Sequence, residues 1–318
     1  MEKSTHSRSP EGELAARIGS LSPAKRALLE RRLQARLRPA PGIPRRTSEE
    51  QAPLSFAQER LWFIEQLEPG TPLYSRPCAL RLTGPLAVAA LEAALGGVVA
   101  RHQALRACFP SADGQPRQAI SPPCPISLPR VDLGGLAPAE REGEALRLAM
   151  ADAQQPLDVA RGPLYRAQLV RLGEQAHWLL LNIHHLAFDG WSMGVLVREL
   201  AALYQAHLAG LPSPLAELPI QCADFALWQR EWLQGEVLER QLAYWRQQLA
   251  GSPPTLSLPT DRARPAQRSY RGRRHCWLLP PEMAAALREL GREQGATLFM
   301  TLLAAFGVLL WRYSGQED

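Results

Sequence analysis

The stretch Asn182-Ile183-His184-His185-Leu186-Ala187-Phe188-Asp189-Gly190-Trp191-Ser192 decides how this chain is read. An apolar strand runs into two adjacent histidines, an Asp-Gly turn follows, and a helix begins at once. Met193, Leu196, Val197, Leu200, Leu203, Tyr204 and Leu208 then recur at helical spacing as far as Gly210. Strand alternation sends neighbouring side chains to opposite faces, so His184 and His185 are expected to diverge, one catalytic and one structural. A histidine at a strand end beside a helix N-terminus suits acyl transfer. Its imidazole titrates near neutrality, and the helix offers free N–H groups for a developing oxyanion. The same residues admit two plainer readings, a hydrogen-bonded core histidine and a metal site. Divergent histidines, and His102, His177, His207 and His275 scattered elsewhere, speak against metal.

Working outward, residues 164–172 and 176–183 read as strands joined by Gly173-Glu174-Gln175, the length of a hairpin loop. Upstream, residues 78–82 read as a strand. Residues 86–105 read as a helix through Leu91, Leu95, Val98 and His102, and residues 107–109 as a short strand before a turn at Asp113-Gly114. The proline-rich residues 121–138 read as a long surface connection, and 211–219 as a second. Helices are expected around 224–232, 237–249, 282–294 and 297–313, with 251–274 extended. The pattern is α+β.

The chain has 318 residues, 46% of them apolar, a globular composition able to bury a core. No apolar run is long enough to cross a bilayer and the start has no apolar leader, so a cytoplasmic location without membrane contact is expected. Five dispersed cysteines without a C-x-x-C pair point to reduced thiols. The net charge of +5 resides in residues 1–50, with eleven Lys/Arg against six Asp/Glu; the rest is balanced. A basic tail on a neutral body fits a docking or linker segment rather than a nucleic-acid groove. Within the tail, residues 24–37 read as a short helix capped by Ser22-Pro23, and residues 39–44 as a proline-rich linker. Residues 1–51 are thus expected to be a tail, with 1–47 dispensable for folding, and 52–219 a unit carrying the histidine motif.

His184-His185-x-x-x-Asp189-Gly190, followed by Trp191-Ser192, resembles the core motif of condensation domains of non-ribosomal peptide synthetases. Three further segments agree in order. Residues 55–62, SFAQERLW, resemble the first motif of the family, and 101–109, RHQALRACF, the second, with Gln103 and Ala107 where Glu and Thr are usual. Residues 224–230, DFALWQR, resemble the fourth, with Cys222 at a position often held by Tyr.

The resemblance implies a fold of two halves, each like chloramphenicol acetyltransferase, arranged as a V around a channel. The first half is 52–219, and 220–318 would supply connecting helices and the start of an incomplete second half. It implies amide formation between a donor thioester and an acceptor aminoacyl thioester. Each would be carried on the phosphopantetheine of an upstream or downstream carrier protein, with an adenylation domain as a further partner, and no cofactor would be bound directly. His185 would be the base or the group that positions the amine. Gly190 would leave the approach open and offer its N–H, while His184 and Asp189 would support the site. Arg60 and Arg106 are candidate partners of Asp189, and Trp191 and Ser192 are neighbours. The motif spellings favour a domain taking an L-configured donor over epimerisation or heterocyclisation types. A non-catalytic carrier-binding module and a coenzyme A-dependent acyltransferase remain alternatives. Length relative to the family, and an apolar final helix at 297–313, lead to the expectation that the chain alone is weakly active or inactive.

Overall fold

The computed structural model describes residues 42–47, 51–253, 255–263, 265, 270, 272–273 and 275–317. The helix expected over 24–37 lies outside them, as do residues 39–41 of the linker. Two compact units divide between Trp232 and Leu233.

The first unit opens with α1 (Phe56–Leu67), whose N-terminus is closed by a reciprocal capping box between Ser55 and Gln58. Then follow β1 (Ser75–Thr83), α2 (Val88–Arg101), a 3₁₀ turn (Gln103–Arg106), and the short strands β2 (Ala107–Cys108), β3 (Ser111–Ala112), β4 (Gln115–Pro116) and β5 (Ala119–Ile120). Asp113 and Gly114 both take positive φ, 52° and 73°, which lets a two-residue turn join β3 to β4. After β6 (Arg130–Asp132) and α3 (Pro138–Ala153), the hairpin β7 (Tyr165–Gly173) and β8 (Ala176–His184) leads into α4 (Gly190–Ala209) and α5 (Cys222–Trp232).

The main sheet runs β1-β8-β7-β6, with β8 antiparallel to both neighbours and β6 parallel to β7. On one face, α2 and α4 bury Leu95, Val98, Leu196 and Leu200 against Leu179, Leu181 and Ile183. On the other, Ala145 of α3 packs with Val170, Leu172 and Leu180. β8 is therefore covered on both sides, which is why it reads as a continuous apolar run rather than an alternating one. Each such buried Leu or Ile contributes about 1.5–3 kcal/mol over its exposed state.

Two elements depart from the sequence reading. The stretch 121–138 is not wholly a surface connection, because Arg130–Asp132 join the sheet while Leu128 and Leu133 are buried. The helix α3 is absent from that reading. Its fully buried apolar residue is the small Ala145, and Leu146 and Met150 point outward, so its stripe is faint. The first unit also runs beyond Pro219 through α5, held by polar contacts described below.

In the second unit, α6 (Gly235–Gln248), α7 (Pro281–Glu293) and α8 (Leu298–Ser314) are helical where the sequence places helices. α7 meets α8 at Gly291, where a Cβ would lie 2.9 Å from Thr301 Oγ1 and 3.0 Å from the Ala296 carbonyl, too close for any larger residue without a shift. Phe299, Leu303 and Phe306 of α8 are exposed. Among the described residues no single helix is long and apolar enough to cross a membrane.

Candidate functional site

β8 lies between β1 and β7 in the sheet, and its end is held by the residues that precede each of them. The His184 N–H donates to the Leu164 carbonyl (2.9 Å), and the His185 N–H donates to the Tyr74 carbonyl (2.8 Å). The two rings diverge as alternation predicts. His184 is 2% exposed, and its Nδ1 accepts from the Leu186 N–H at 3.1 Å, so the proton of the neutral ring sits on Nε2. Nε2 in turn donates to Oε1 of Glu65, itself 6% exposed, at 3.0 Å.

His185 is half-buried, and its Nδ1 lies 2.6 Å from the Phe188 carbonyl. A carbonyl oxygen can only accept, so Nδ1 carries the proton and the lone pair of the neutral imidazole is left on Nε2. Among the described residues Nε2 has no partner. His185 lines a cavity of about 690 Å³ together with Gln58, Arg60, Asp189, Ser192 and Cys222, a volume suited to a small-molecule substrate.

Asp189 is the N-cap of α4. Its Oδ1 accepts from the Ser192 N–H (2.9 Å) and the Ser192 hydroxyl (2.6 Å), while Ser192 Oγ accepts from the Asp189 N–H (3.3 Å). The Ser192 hydroxyl, then the Ser192 N–H, hold its carboxyl below the usual carboxylate range, with smaller pulls from the Trp191 N–H and the charge of His185. Gly190 opens the helix, where first-turn N–H groups have no intrahelical acceptor. A Cβ there would meet nothing within 4 Å.

The arginine expectations change. Arg106 does not reach Asp189. Its guanidinium donates to the carbonyls of Val99 (3.1 Å), Ala100 (3.1 Å) and Ser121, closing the C-terminal end of α2. Arg60 lines the His185 cavity but makes no ion pair with Asp189, whose charge is satisfied by the cap instead. Trp191 is 83% exposed and lines a separate cavity of about 190 Å³ with His102, Leu105 and Phe188.

Residues 55–62, 101–109 and 224–230 form joints around this site. Buried Gln58 accepts from Gln118 Nε2 (3.0 Å) and donates to the Leu186 carbonyl of the histidine loop (3.3 Å) and to Cys222 Sγ (3.6 Å). Burial pushes the Cys222 thiol up, with Asp224 adding to the shift, so Cys222 faces the cavity as a neutral thiol. From α5, Arg230 donates to Glu59 (2.5 Å) and the Leu54 carbonyl (2.9 Å) and lies 4.2 Å above the Phe56 ring. Asp224, 2% exposed, accepts from the N–H groups of Gln221 (2.7 Å) and Arg46 (3.1 Å). Arg46 also donates to Gln103 (3.1 Å), so the segment 1–51 is tied to the first unit at this residue. No sequence motif marks Glu65 as part of the site, and the first motif gives Gln58 no role. Both occur at the spacing of buried Trp62 on α1, and polar residues on an apolar stripe were the available signal.

A family model for the condensation domain matches residues 48–318. The chain belongs to the condensation-domain family. It is 51% identical over 292 residues to one of the linear gramicidin synthase proteins of Brevibacillus parabrevis, covering 92% of this chain and 4% of that protein. It is 46% identical over 309 residues to phosphinothricin tripeptide synthetase PhsC of Streptomyces viridochromogenes, covering 96% and 28%. Among solved structures, the X-domain from teicoplanin biosynthesis gives a TM-score of 0.75 at 36% identity, covering 86% of this chain and 60% of that one. The first condensation domain of the CDA synthetase gives 0.69 at 28% identity, covering 85% and 64%. These condensation-type structures share the α+β fold. Condensation domains of such synthetases act on substrates carried on phosphopantetheine of carrier proteins. The chain spans under two thirds of the solved structures and a small part of the synthetases.

Proposed function

We propose that this condensation domain joins a donor acyl or peptidyl thioester to an acceptor aminoacyl thioester, with His185 at the reacting amine. The observation that carries this reading is the fixed tautomer of His185. Its Nδ1–H is committed to the Phe188 carbonyl, which leaves an unprotonated Nε2 on a substrate-sized cavity. Aminolysis of a thioester requires the attacking amine to lose a proton. Nε2 would accept that proton as the C–N bond forms, or hold the amine by accepting its hydrogen bond. The thiolate then leaves on the donor arm and takes up a proton. Gly190 would leave the approach open, and the first N–H groups of α4 would face the oxyanion. His184 and Asp189 act indirectly, one anchoring the loop on Glu65 and the other capping α4 with Ser192. Arg106 and Trp191 have no part in the reaction on this reading.

The partners that follow are a donor and an acceptor carrier protein, with an adenylation domain in the complete synthetase, in the cytoplasm; the motif spellings favour an L-configured donor. Amide formation would need the further length that solved condensation domains have. Loading donor and acceptor carriers and following the dipeptidyl product by mass spectrometry tests the reading. A product that persists when His185 is replaced by Ala refutes it. A second reading, a module that binds a partner without catalysis, draws support from the likeness to the X-domain, which has been solved in complex with OxyB. Carrier binding without product under the same conditions would favour it.

A further inference from the structure

The cavity that holds His185 also holds two arginines for which the reaction has no use. Arg60 enters it from α1 and Arg76 from the start of β1. Arg76 is paired in register with Ile183, two residues before His185, so strand alternation sets it on the same face of the sheet as Ile183 and the His185 ring. Both side chains are exposed, and neither has a hydrogen bond or an ion pair with any described residue. Other arginines of the same unit behave differently. Arg101 meets Glu199 at 3.2 Å, Arg166 meets Asp152 at 2.8 Å and Arg230 meets Glu59 at 2.5 Å. The carboxylate on the cavity wall, Asp189, is consumed by the cap of α4 and makes no ion pair with either arginine.

Building on the proposed reaction, we infer that Arg60 and Arg76 receive a carboxylate borne by the acyl or aminoacyl group of the thioester brought to His185. A guanidinium presents a planar fork of donors that matches a carboxylate in two parallel hydrogen bonds, and such charge-assisted bonds are the strong ones. The phosphate of the carrier arm is the other anion within the chemistry of these substrates. It lies at the far end of that arm from the thioester sulfur, whereas these arginines share one cavity with the group that must meet the thioester carbon. A side-chain or terminal carboxylate of the substrate fits that position.

The test uses the 318-residue chain and three soluble probes: succinyl-pantetheine, which carries a carboxylate; butyryl-pantetheine, its uncharged analogue of similar size; and butyryl-phosphopantetheine, which moves the negative charge to the phosphate. Calorimetric titration should show succinyl-pantetheine binding at least about tenfold more tightly than butyryl-pantetheine, the size expected of a hydrogen bond to a charged group. In the Arg60→Gln/Arg76→Gln double variant the advantage should fall below about threefold, with butyryl-pantetheine binding unchanged. Since neither arginine holds the fold, the unfolding curve of the variant should match that of the parent. Equal affinity for the succinyl and butyryl thioesters would overturn the inference and leave the reaction at His185 standing. So would an advantage confined to the phosphorylated probe, or a carboxylate preference that survives in the double variant. If none of the thioesters binds the parent chain, the proposed reaction itself loses its support and the inference goes with it.

Discussion

Replacing Glu65 by Ala should destabilise the first unit, although Glu65 does not line the His185 cavity. Glu65 and His184 are 6% and 2% exposed and joined at 3.0 Å, and the other nitrogen of His184 accepts from the Leu186 N–H at 3.1 Å. Removing the carboxylate leaves a buried ring N–H without an acceptor and a space beside it. The His184 ring is neutral, so no charge is stranded, and a buried donor left unsatisfied costs about 1–3 kcal/mol. That range of about 1–3 kcal/mol is a sizeable part of the typical 5–15 kcal/mol stability of a domain. The loop that presents His185 begins at that hydrogen bond, so the effect should be local as well as global. Urea unfolding should show the midpoint falling at constant slope, and hydrogen exchange at the Leu186 amide should accelerate more than exchange in the middle of β7. Glu65→Gln keeps an acceptor oxygen and should cost only about 1 kcal/mol. A double-mutant cycle with His184→Leu should give coupling of about 1.5–3 kcal/mol. A Glu65→Ala loss below about 1 kcal/mol, or additive behaviour in the cycle, would refute the reasoning.

Loss of the N-cap in Asp189→Ala should cost about 1 kcal/mol at neutral pH, while Asp189→Asn, also a good cap, should cost little. The folded-state pKa of Asp189 is depressed, so its charge contributes stability above the unfolded value near 3.9 and that part fades as pH falls through the folded value; the Tm gap between parent and Ala variant should therefore narrow as pH falls below about 4. Gly190→Ala, entering open space at ordinary φ, should leave Tm within about 0.5 kcal/mol of stability while lowering amide formation, and undiminished product would remove Gly190 from the site. Deleting residues 1–47 should destabilise the chain more than deleting 1–41, by about 1–3 kcal/mol, because only the longer deletion removes the Arg46 contacts to Asp224 and Gln103. Equal melting temperatures for the two truncations would contradict that.

Much of this fold is visible in one dimension because it rests on strong periodicities. β7, β8, α2 and α4 each bury a stripe of large aliphatic residues, and Gly210 ends α4 in the left-handed conformation at φ 65°, where glycine is favoured. The divergence of His184 and His185 follows from strand alternation alone. What escaped has an equally physical cause. α3 buries Ala145 where a larger residue would have marked the stripe, and β6 is three residues long between prolines and is specified by its partner β7 rather than by its own pattern. The polar framework of the site is long-range: Glu65 meets His184 across 119 residues, and Gln58 meets Leu186 across 128. No local spacing rule can propose such pairs. Nor could sequence tell that Asp189 satisfies its charge with Ser192 rather than with Arg60 or Arg106. The choice depends on where the guanidinium groups end up, and the Val99 and Ala100 carbonyls at the end of α2, with that of Ser121, claim Arg106.

The central claim, that Nε2 of His185 serves the attacking amine, is tested most directly by single-turnover amide formation between loaded donor and acceptor carriers. The measurement compares His185 and His185→Ala forms of the domain at the full length of its solved relatives. The account predicts a fall of about a hundred- to ten-thousand-fold in the rate of product appearance on the acceptor carrier, with carrier binding and melting temperature retained. A rate within a few-fold of the parent would contradict it.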